Sequence, residues 1–583
     1  MSHPETHLVN ASLDFGTHAT GYGWCEHGVD DPALRKIRTF DQWPNQPVPS
    51  VKTLTALLLD RDGDVIAWGH DALRRWNEHR ADRRDKGWRY HHGFKMHLAK
   101  DAPRLRTSWA AYDESEEPVE NLITKFLRCM LRHVLADLAA SGYQESDIRW
   151  CITVPAIWND HQKVVMRKCA ERAGFPTEDG RLILAYEPEA AAQHARVSNI
   201  MITDSLGGAR DVLTAPGRRV VVADCGGGTA DMTSFQVEPD GSLVEVGRVS
   251  GDARGSHYVN EALLKNVLVP RLGGEKLYKK LVEQCPEGVE DLLAAWERAK
   301  LNVVVDQARP VYLPIPFGLA KKMPPRVKRA LAEAQDGNDT NIVVTVEEIK
   351  AAFETVVHRI CELVSEQVDM VEADAGEGGG PVVVLLVGGF AASEYLRRRL
   401  IDHIKDLAIV VVPPDPQVAV LSGAVHFACR PDIRARRARR TYGIAMRCDF
   451  EEGIDDEARR CPPEPGEDHA DKCVDRFVAL VEKGTLVPTD AEVWQDGYPI
   501  KGDQTEVAVE FYGADDGLPR NVDDPNCKYL GKVLIKLGKA MRLSMKGRAI
   551  RVLMKFGETE IKVRVVVLAT GVELPYTLEL AAS

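Results

Sequence analysis

Two stretches hold the residues best suited to chemistry. In VVVADCGGGTADMTSF, residues 220–235, an apolar run leads to Asp224. Gly226, Gly227 and Gly228 follow together, and Thr229 and Asp231 close the turn. Three glycines without Cβ atoms let main-chain N–H groups come close to a ligand. With a hydroxyl and two carboxylates beside them, such a turn can hold phosphate oxygens, and Asp224 can hold a hydrated metal. Taken alone, the stretch reads equally well as a tight hairpin whose polar residues are ordinary turn residues. A second copy weakens that reading. Leu13-Asp14-Phe15-Gly16-Thr17 ends another apolar segment and runs on through Gly21 and Gly23. Asp14 and Asp224 occupy matching places, so two similar halves would face one nucleotide across a cleft. There is no good copy in context of the GxxxxGK[ST] phosphate loop or the GxGxxG dinucleotide turn.

Other candidate residues are placed by the elements around them. A strand at 182–185 leads into Tyr186-Glu187-Pro188-Glu189 and three alanines. Pro188 suits the first turn of a helix. Glu187 then stands at a strand-to-helix mouth, where ligand clefts form; it reads also as a helix N-terminal charge favoured by the dipole. Lys95, in Gly93-Phe94-Lys95-Met96, closes a region dense in charges and aromatics, including Arg74, Arg75, Trp76, Arg83 and Trp88. Glu78, Asp82 and Asp85 interrupt the basic residues, which favours a solvated helical face over a nucleic-acid surface. Glu297 and Lys300 share one face of a helix expected over 289–300, as an i, i+3 pair. A buried strand at 382–387 ends in Gly388-Gly389, and Pro413-Pro414-Asp415-Pro416 turns the chain into a helix over 418–428.

The positioning elements read as α/β. Leu122, Phe126, Met130, Val134 and Leu138 make one helical stripe over 119–140. A strand at 150–154, a helix capped by Asn159 or Asp160 and ending at Gly174, and a long helix over 346–371 follow the same logic. After Arg430 the composition changes. Six arginines lie between Arg430 and Arg440, in a run expected to be a basic linker over 430–441. Residues 451–474 are an acidic, Pro-containing insertion. From 477 to 580 the apolar period is that of strands, predicting an antiparallel β-sandwich.

A length of 583 residues corresponds to roughly four units of about 150. The net charge of −12 argues against a general nucleic-acid binder. Twelve cysteines show no zinc spacing and suit a reducing, cytoplasmic compartment, with the arginine run as a nuclear signal in the alternative. Cys461 and Cys473 flank the insertion and are expected to stay free. The N-terminal residues predict no secretory leader, and the apolar run 382–387 is too short for a membrane span.

The order of these segments resembles one family. LDFGTHATGYG, ADCGGGTADM, ITVPAIWND, AYEPEAAA and LLVGGFAASEYL look like the nucleotide segments of the actin-fold ATPase of the seventy-kilodalton heat-shock proteins, nearest to the divergent member-12 branch. VEKGTLVPT, TEVAVEFYGAD and YLGKVLI resemble that family's peptide-binding sandwich. The resemblance implies an actin-like ATPase over 1–429, with one lobe at about 1–197 and 413–429 and the other at about 218–412. A polypeptide-binding sandwich at 442–583 would follow, expected here to depart from the family in lacking the helical lid that normally comes after it. It implies ATP or ADP with Mg²⁺, and K⁺ as a further ion. Asp14 and Asp224 would hold Mg²⁺ through water. Gly16, Thr17, Gly226, Gly227, Gly228 and Thr229 would cradle the phosphates. Lys95 would position the attacking water, Glu187 would orient or deprotonate it, and Asp231 would support the ion sites. Glu297, Lys300, Gly388, Gly389 and Asp415 would line the nucleoside pocket.

The departures are specific. The two arginines that usually sandwich adenine correspond to Leu301 and Ala392, and the apolar interdomain linker is replaced by the arginine run. The expected function is a slow ATPase with chaperone-like binding of extended polypeptide clients and co-chaperones, without nucleic acid or membrane as partner. The alternatives are a nucleotide-dependent scaffold with little turnover and, on fold analogy, a small-molecule kinase.

Overall fold

The computed structural model describes residues 7–79, 82–83, 85–98, 117–178, 180–198, 201–203, 209–211, 213–375, 381–463, 470–499, 503–574 and 576–580. Its residues group into two compact units. The first runs to Trp158, over Gln162–Gly241 and over Val249–Asp432; the second comprises Asn159–His161, Ser242–Arg248 and the chain from Ile433 onward.

Aliphatic runs make the two largest sheets among the described residues of the first unit. In one, the strands lie in the order Arg38–Thr39, Ala19–Glu26, Val9–Phe15, Ile148–Val154 and Leu182–Tyr186, with Thr53–Leu54 also paired to Ala19–Glu26. Every residue of Val9–Phe15 is buried. This strand is antiparallel to its hairpin partner, placing Asp14 opposite Gly21, and parallel to Ile148–Val154 on its other side. The other sheet repeats the arrangement. Arg219–Cys225 is antiparallel to Ala230–Val237, with Asp224 opposite Asp231, and parallel to Val382–Val387, which is followed by Ala408–Val411. Continuously apolar strands fit here because both of their faces are covered.

Helices supply the cover. Val119–Ala140 is one helix, and its predicted stripe of Leu122, Phe126, Met130, Val134 and Leu138 joins the core formed with Val9, Ala11 and Leu13. The alanine-rich helix Glu187–Val197 packs against Ala419–Cys429 so closely that a Cβ on Gly423 would fall 1.6 Å from the Ala190 carbonyl oxygen. Farther along, His257–Leu263 is a helix that runs through a π-turn over Leu264–Leu268 into a short continuation over Val269–Arg271. The solvated face expected near Arg83 is corrected. Arg83 is 3% exposed, lies 3.8 Å over the Trp76 ring and reaches Glu290 at 3.3 Å.

The basic run does not form a linker. Ile433–Arg437 is a strand that pairs with Leu243–Val244 and with Leu486–Pro488. Arg436 is 6% exposed and donates to the Gly557 carbonyl, while Arg437 donates to the Gly484 carbonyl at 3.0 Å. Guanidinium groups can be buried where carbonyls accept all along their edge. The insertion at 451–474 carries regular structure. Glu457–Arg459 is a 3₁₀ turn, Arg460–Cys461 pairs with Lys472–Val481, and Arg460 bridges Glu452, Glu457 and Asp471. Residues 464–469 of the insertion lie outside the described residues. All twelve cysteines, Cys461 and Cys473 among them, are free thiols.

The rest of the second unit is antiparallel. One sheet has the order Arg460–Cys461, Lys472–Val481, Thr441–Asp449, Glu506–Ala514, Cys527–Lys536 and Tyr576–Leu580. The other has Val493–Gly497, Ile550–Lys555 and Lys562–Val567. Residues alternating along the strands (Val533 and Ile535, Ile550, Val552 and Met554, Val565 and Val567) share one core.

Candidate active site

The two hairpins of the first unit each end a buried strand in an aspartate, and the catalytic candidates gather around those two positions. Lys95 sits in the 3₁₀ turn Phe94–Leu98, and Glu187 is the first residue of its helix. The Lys95 ammonium donates to Glu187 Oε1 at 2.7 Å and to the Phe15 carbonyl at 2.6 Å. It also lies 5.3 Å from the Trp158 ring centre and 5.5 Å from that of Phe15. Asp14 accepts from the Thr153 hydroxyl at 2.9 Å and is paired with Lys52 Nζ at 2.6 Å. Asp231 accepts the Ile157 N–H at 2.9 Å.

The electrostatics follow from burial and crowding. Burial pushes the Asp224 carboxyl well above its ordinary range, and the neighbouring charges of Glu187, Asp231 and Asp14 add to the shift against the opposing Lys52. Burial likewise raises Glu187 to about 7; Lys95 opposes this, while Asp14 and Asp231 reinforce it. Burial works against the Lys52 ammonium, yet the Asp14, Asp224 and Glu187 carboxylates hold its pKa above the usual value. Four carboxylates thus share the space with two ammonium groups. With all four ionised the imbalance would be the charge of one divalent cation, and an all-oxygen donor set is the kind that Mg²⁺ prefers.

The second glycine turn is tied back by the segment before the His257 helix. Gly255, Ser256 and His257 donate their N–H groups to the carbonyls of Gly228, Gly226 and Gly227 at 3.1, 3.1 and 2.9 Å. At Gly228 there is no room for a side chain. A Cβ on Gly228 would stand 2.3 Å from the Met96 sulfur and 3.0 Å from Thr17 Oγ1, which joins the two turns. Gly226 donates to the Thr229 carbonyl at 2.9 Å, and the Gly16 carbonyl accepts from the Thr55 hydroxyl at 2.7 Å.

The nucleoside candidates divide into two groups. Gly388 is left-handed at φ 89°, and a Cβ there would meet Asp224 Oδ1 at 2.3 Å, so this glycine belongs with the carboxylate cluster. Its N–H donates to the Pro416 carbonyl at 3.1 Å. Gly389 and Asp415 are exposed nearby in sequence. Glu297 and Lys300 form the expected ion pair at 2.9 Å. Asn260 adds to it, donating to Glu297 and accepting from Lys300 Nζ at 3.0 Å and from the Trp296 indole at 2.9 Å. Leu301 is 71% exposed, and Ala392 is also exposed.

Sequence reasoning missed Lys52, Thr153 and Asn260. Thr153 stood in a recognised strand, but its partner lies across the sheet. Lys52 carried no local signal: it reaches Asp14 because Thr53 and Leu54 pair with Thr20 and Ala19.

No family model matches the chain. It is similar to heat shock 70 kDa protein 12A of Mus musculus and of Homo sapiens, each 26% identical over 631 residues covering 98% of this chain and 91% of the relative. It is also 29% identical to heat shock 70 kDa protein 12B of Homo sapiens over 636 residues, covering 97% of this chain and 90% of that protein. The α/β architecture fits an actin-like ATPase fold. The chain is thus similar over nearly its whole length to the member-12 branch of the seventy-kilodalton heat-shock proteins. Among the described residues, no helix is long and apolar enough to cross a membrane.

Proposed function

We propose that the chain binds ATP with Mg²⁺ and hydrolyses it slowly, and that its second unit binds extended polypeptide as a chaperone-like β-sandwich. The observation that carries the reading is the Lys95–Glu187 pair, set among Asp14, Asp224 and Asp231 at the ends of two matching hairpins. Phosphoryl transfer to water needs positioning and charge compensation more than covalent chemistry. Thr17, Thr229 and the glycine amides would hold phosphate oxygens. Lys95 would bind a phosphate oxygen and the attacking water. Glu187, with its pKa raised to about 7, is suited to take a proton from that water at neutral pH. Asp14 and Asp224 would hold the Mg²⁺, which when bound neutralises phosphate charge. The Glu297–Lys300–Asn260 group, Gly388, Gly389 and Asp415 would receive the nucleoside.

A second reading is a nucleotide-dependent scaffold with little turnover. It is favoured by Lys52, whose ammonium is paired to Asp14 where the metal would be held, and by exposed Leu301 and Ala392 in place of adenine-stacking arginines. Phosphate release from Mg·ATP separates the two. Release that disappears in Glu187→Gln supports the ATPase; nucleotide binding without release supports the scaffold. Peptide binding by the second unit, and a cytoplasmic setting for it, belong to the same proposal. Titration of the chain with an unfolded, fluorescently labelled peptide tests the binding, and the absence of any change in anisotropy would contradict it.

A further inference from the structure

Three histidines meet at a place where ATP hydrolysis gives them no role. His18 follows Thr17 in the first glycine turn, His92 ends the strand Arg89–His92, and His257 opens the helix His257–Leu263. One ring nitrogen of each lies within 4.8 Å of the others. The ring centroids are 5.6 Å apart for His18–His92 and His18–His257, and 5.5 Å for His92–His257. The first two pairs are edge-on, at 87° and 84°. Separate segments bring them together, and each is anchored through its backbone. The Thr55 N–H donates to the His18 carbonyl at 2.9 Å, His92 pairs with Ala56 across a sheet, and the His257 N–H is fixed to the Gly227 carbonyl at 2.9 Å. Nothing local in the sequence predicts the meeting.

The chemistry of the group is that of a ligand set. His18 is open to solvent, His257 is half-buried and His92 is buried, so the cluster has an accessible side and a closed one. Loss of hydration in the crowded recess holds His257 well below its ordinary pKa, and His92, His18 and Lys300 add to the shift. Neutral imidazoles present lone pairs, the form in which histidine ligates metals. Three of them suit zinc, copper, cobalt or nickel, whereas Mg²⁺ demands oxygen.

We propose that His18, His92 and His257 bind a divalent d-block cation of the zinc class beside the glycine turns, at a site separate from Asp14 and Asp224. Tetrahedral ligation at about 2.0–2.1 Å would set the nitrogens about 3.3 Å apart, so modest ring rotations close the site. The fourth position falls to water or to an oxygen of whatever occupies the glycine turns. The proposal does not depend on hydrolysis.

The test is titration of the chelator-treated full-length protein with Co²⁺ alone, then with Zn²⁺ as competitor. The expected result is one equivalent of Co²⁺ with the intense visible absorption of a tetrahedral nitrogen site, displaced by Zn²⁺. His18→Asn, at the exposed position, and His257→Asn should each weaken binding at least about ten-fold, the loss seen even for outer partners of a metal. Circular dichroism checks that both variants are folded. Absence of Co²⁺ binding, equal binding by His18→Asn, or a thiolate charge-transfer band that survives in the triple His→Asn variant would overturn the proposal. Mg·ATP titration in the presence of chelator is read separately, so failure of the nucleotide reading and failure of the metal site are distinguishable.

Discussion

Replacing Glu187 by glutamine keeps the shape of the side chain and removes its ability to take a proton. The wild-type carboxyl, raised to about 7, is mostly protonated at about pH 6 and mostly ionised at about pH 8. A base that acts only when ionised should therefore give a hydrolysis rate that rises about ten-fold across that interval, with its midpoint near neutrality. A positioned general base contributes about a hundred-fold or more, so Glu187→Gln should lose at least that factor at about pH 8 and show a flat profile. The same shift has a stability consequence whose sign differs from that of an ordinary salt-bridged carboxylate. The folded pKa lies above the ordinary glutamate value of 4.5, so the native state keeps a proton that the unfolded chain releases. Stability is undiminished below the unfolded pKa. It falls as pH rises from there to the folded value and is level above it, a loss of about 3 kcal/mol in all. Glutamine does not titrate, so the variant should lack this decline. The assays are phosphate release at sub-saturating Mg·ATP, where kcat/KM reports the pKa of the free protein, and urea unfolding, both as functions of pH. A wild-type rate that is level across neutrality, or a variant within about three-fold of wild type at every pH, would refute the assignment of Glu187 as the base.

Lys52→Met should destabilise the chain by about 3–5 kcal/mol, because Asp14 is left buried without its 2.6 Å partner; added Mg²⁺ should restore part of the lost melting temperature, as read by scanning calorimetry. Gly423→Ala drives a methyl group into the Ala190 carbonyl, and overpacking of this kind costs about 1–3 kcal/mol or more; denaturant unfolding will show it, and an unchanged midpoint would contradict the close packing of the two helices. Introducing Arg at both Leu301 and Ala392 should tighten ATP binding about five-fold or more by restoring cation–π stacking on adenine, measured by calorimetry. Equal affinity of this double variant and wild type would mean that adenine lies elsewhere.

Much of the first unit was legible because its signals are local. The five-residue stripe of helix Val119–Ala140 and the aliphatic run of Val382–Val387 each declare their period within a few turns or residues. The repeated strand–Asp–Gly–Thr pattern announced two similar halves, and in each the aspartate is the last residue but one of its buried strand. What stayed hidden depends on contacts between distant segments. Lys52 has no motif and acts only through strand pairing next to Asp14. The arginines of Ile433–Arg437 concealed a strand, since charge there outweighed the alternating Ile433 and Ala435, and carbonyl partners far along the chain make burial of Arg436 tolerable. The three-histidine cluster joins three segments that share no spacing rule.

The most direct measurement is calorimetric titration of the full-length protein with Mg·ATP, followed by phosphate release on the same sample. The account predicts one binding event per chain and slow release that Lys95→Ala abolishes. Lys95→Ala removes the ammonium held 2.7 Å from Glu187. Absence of heat with both Mg·ATP and Mg·ADP, or release that persists undiminished in Lys95→Ala, would contradict it.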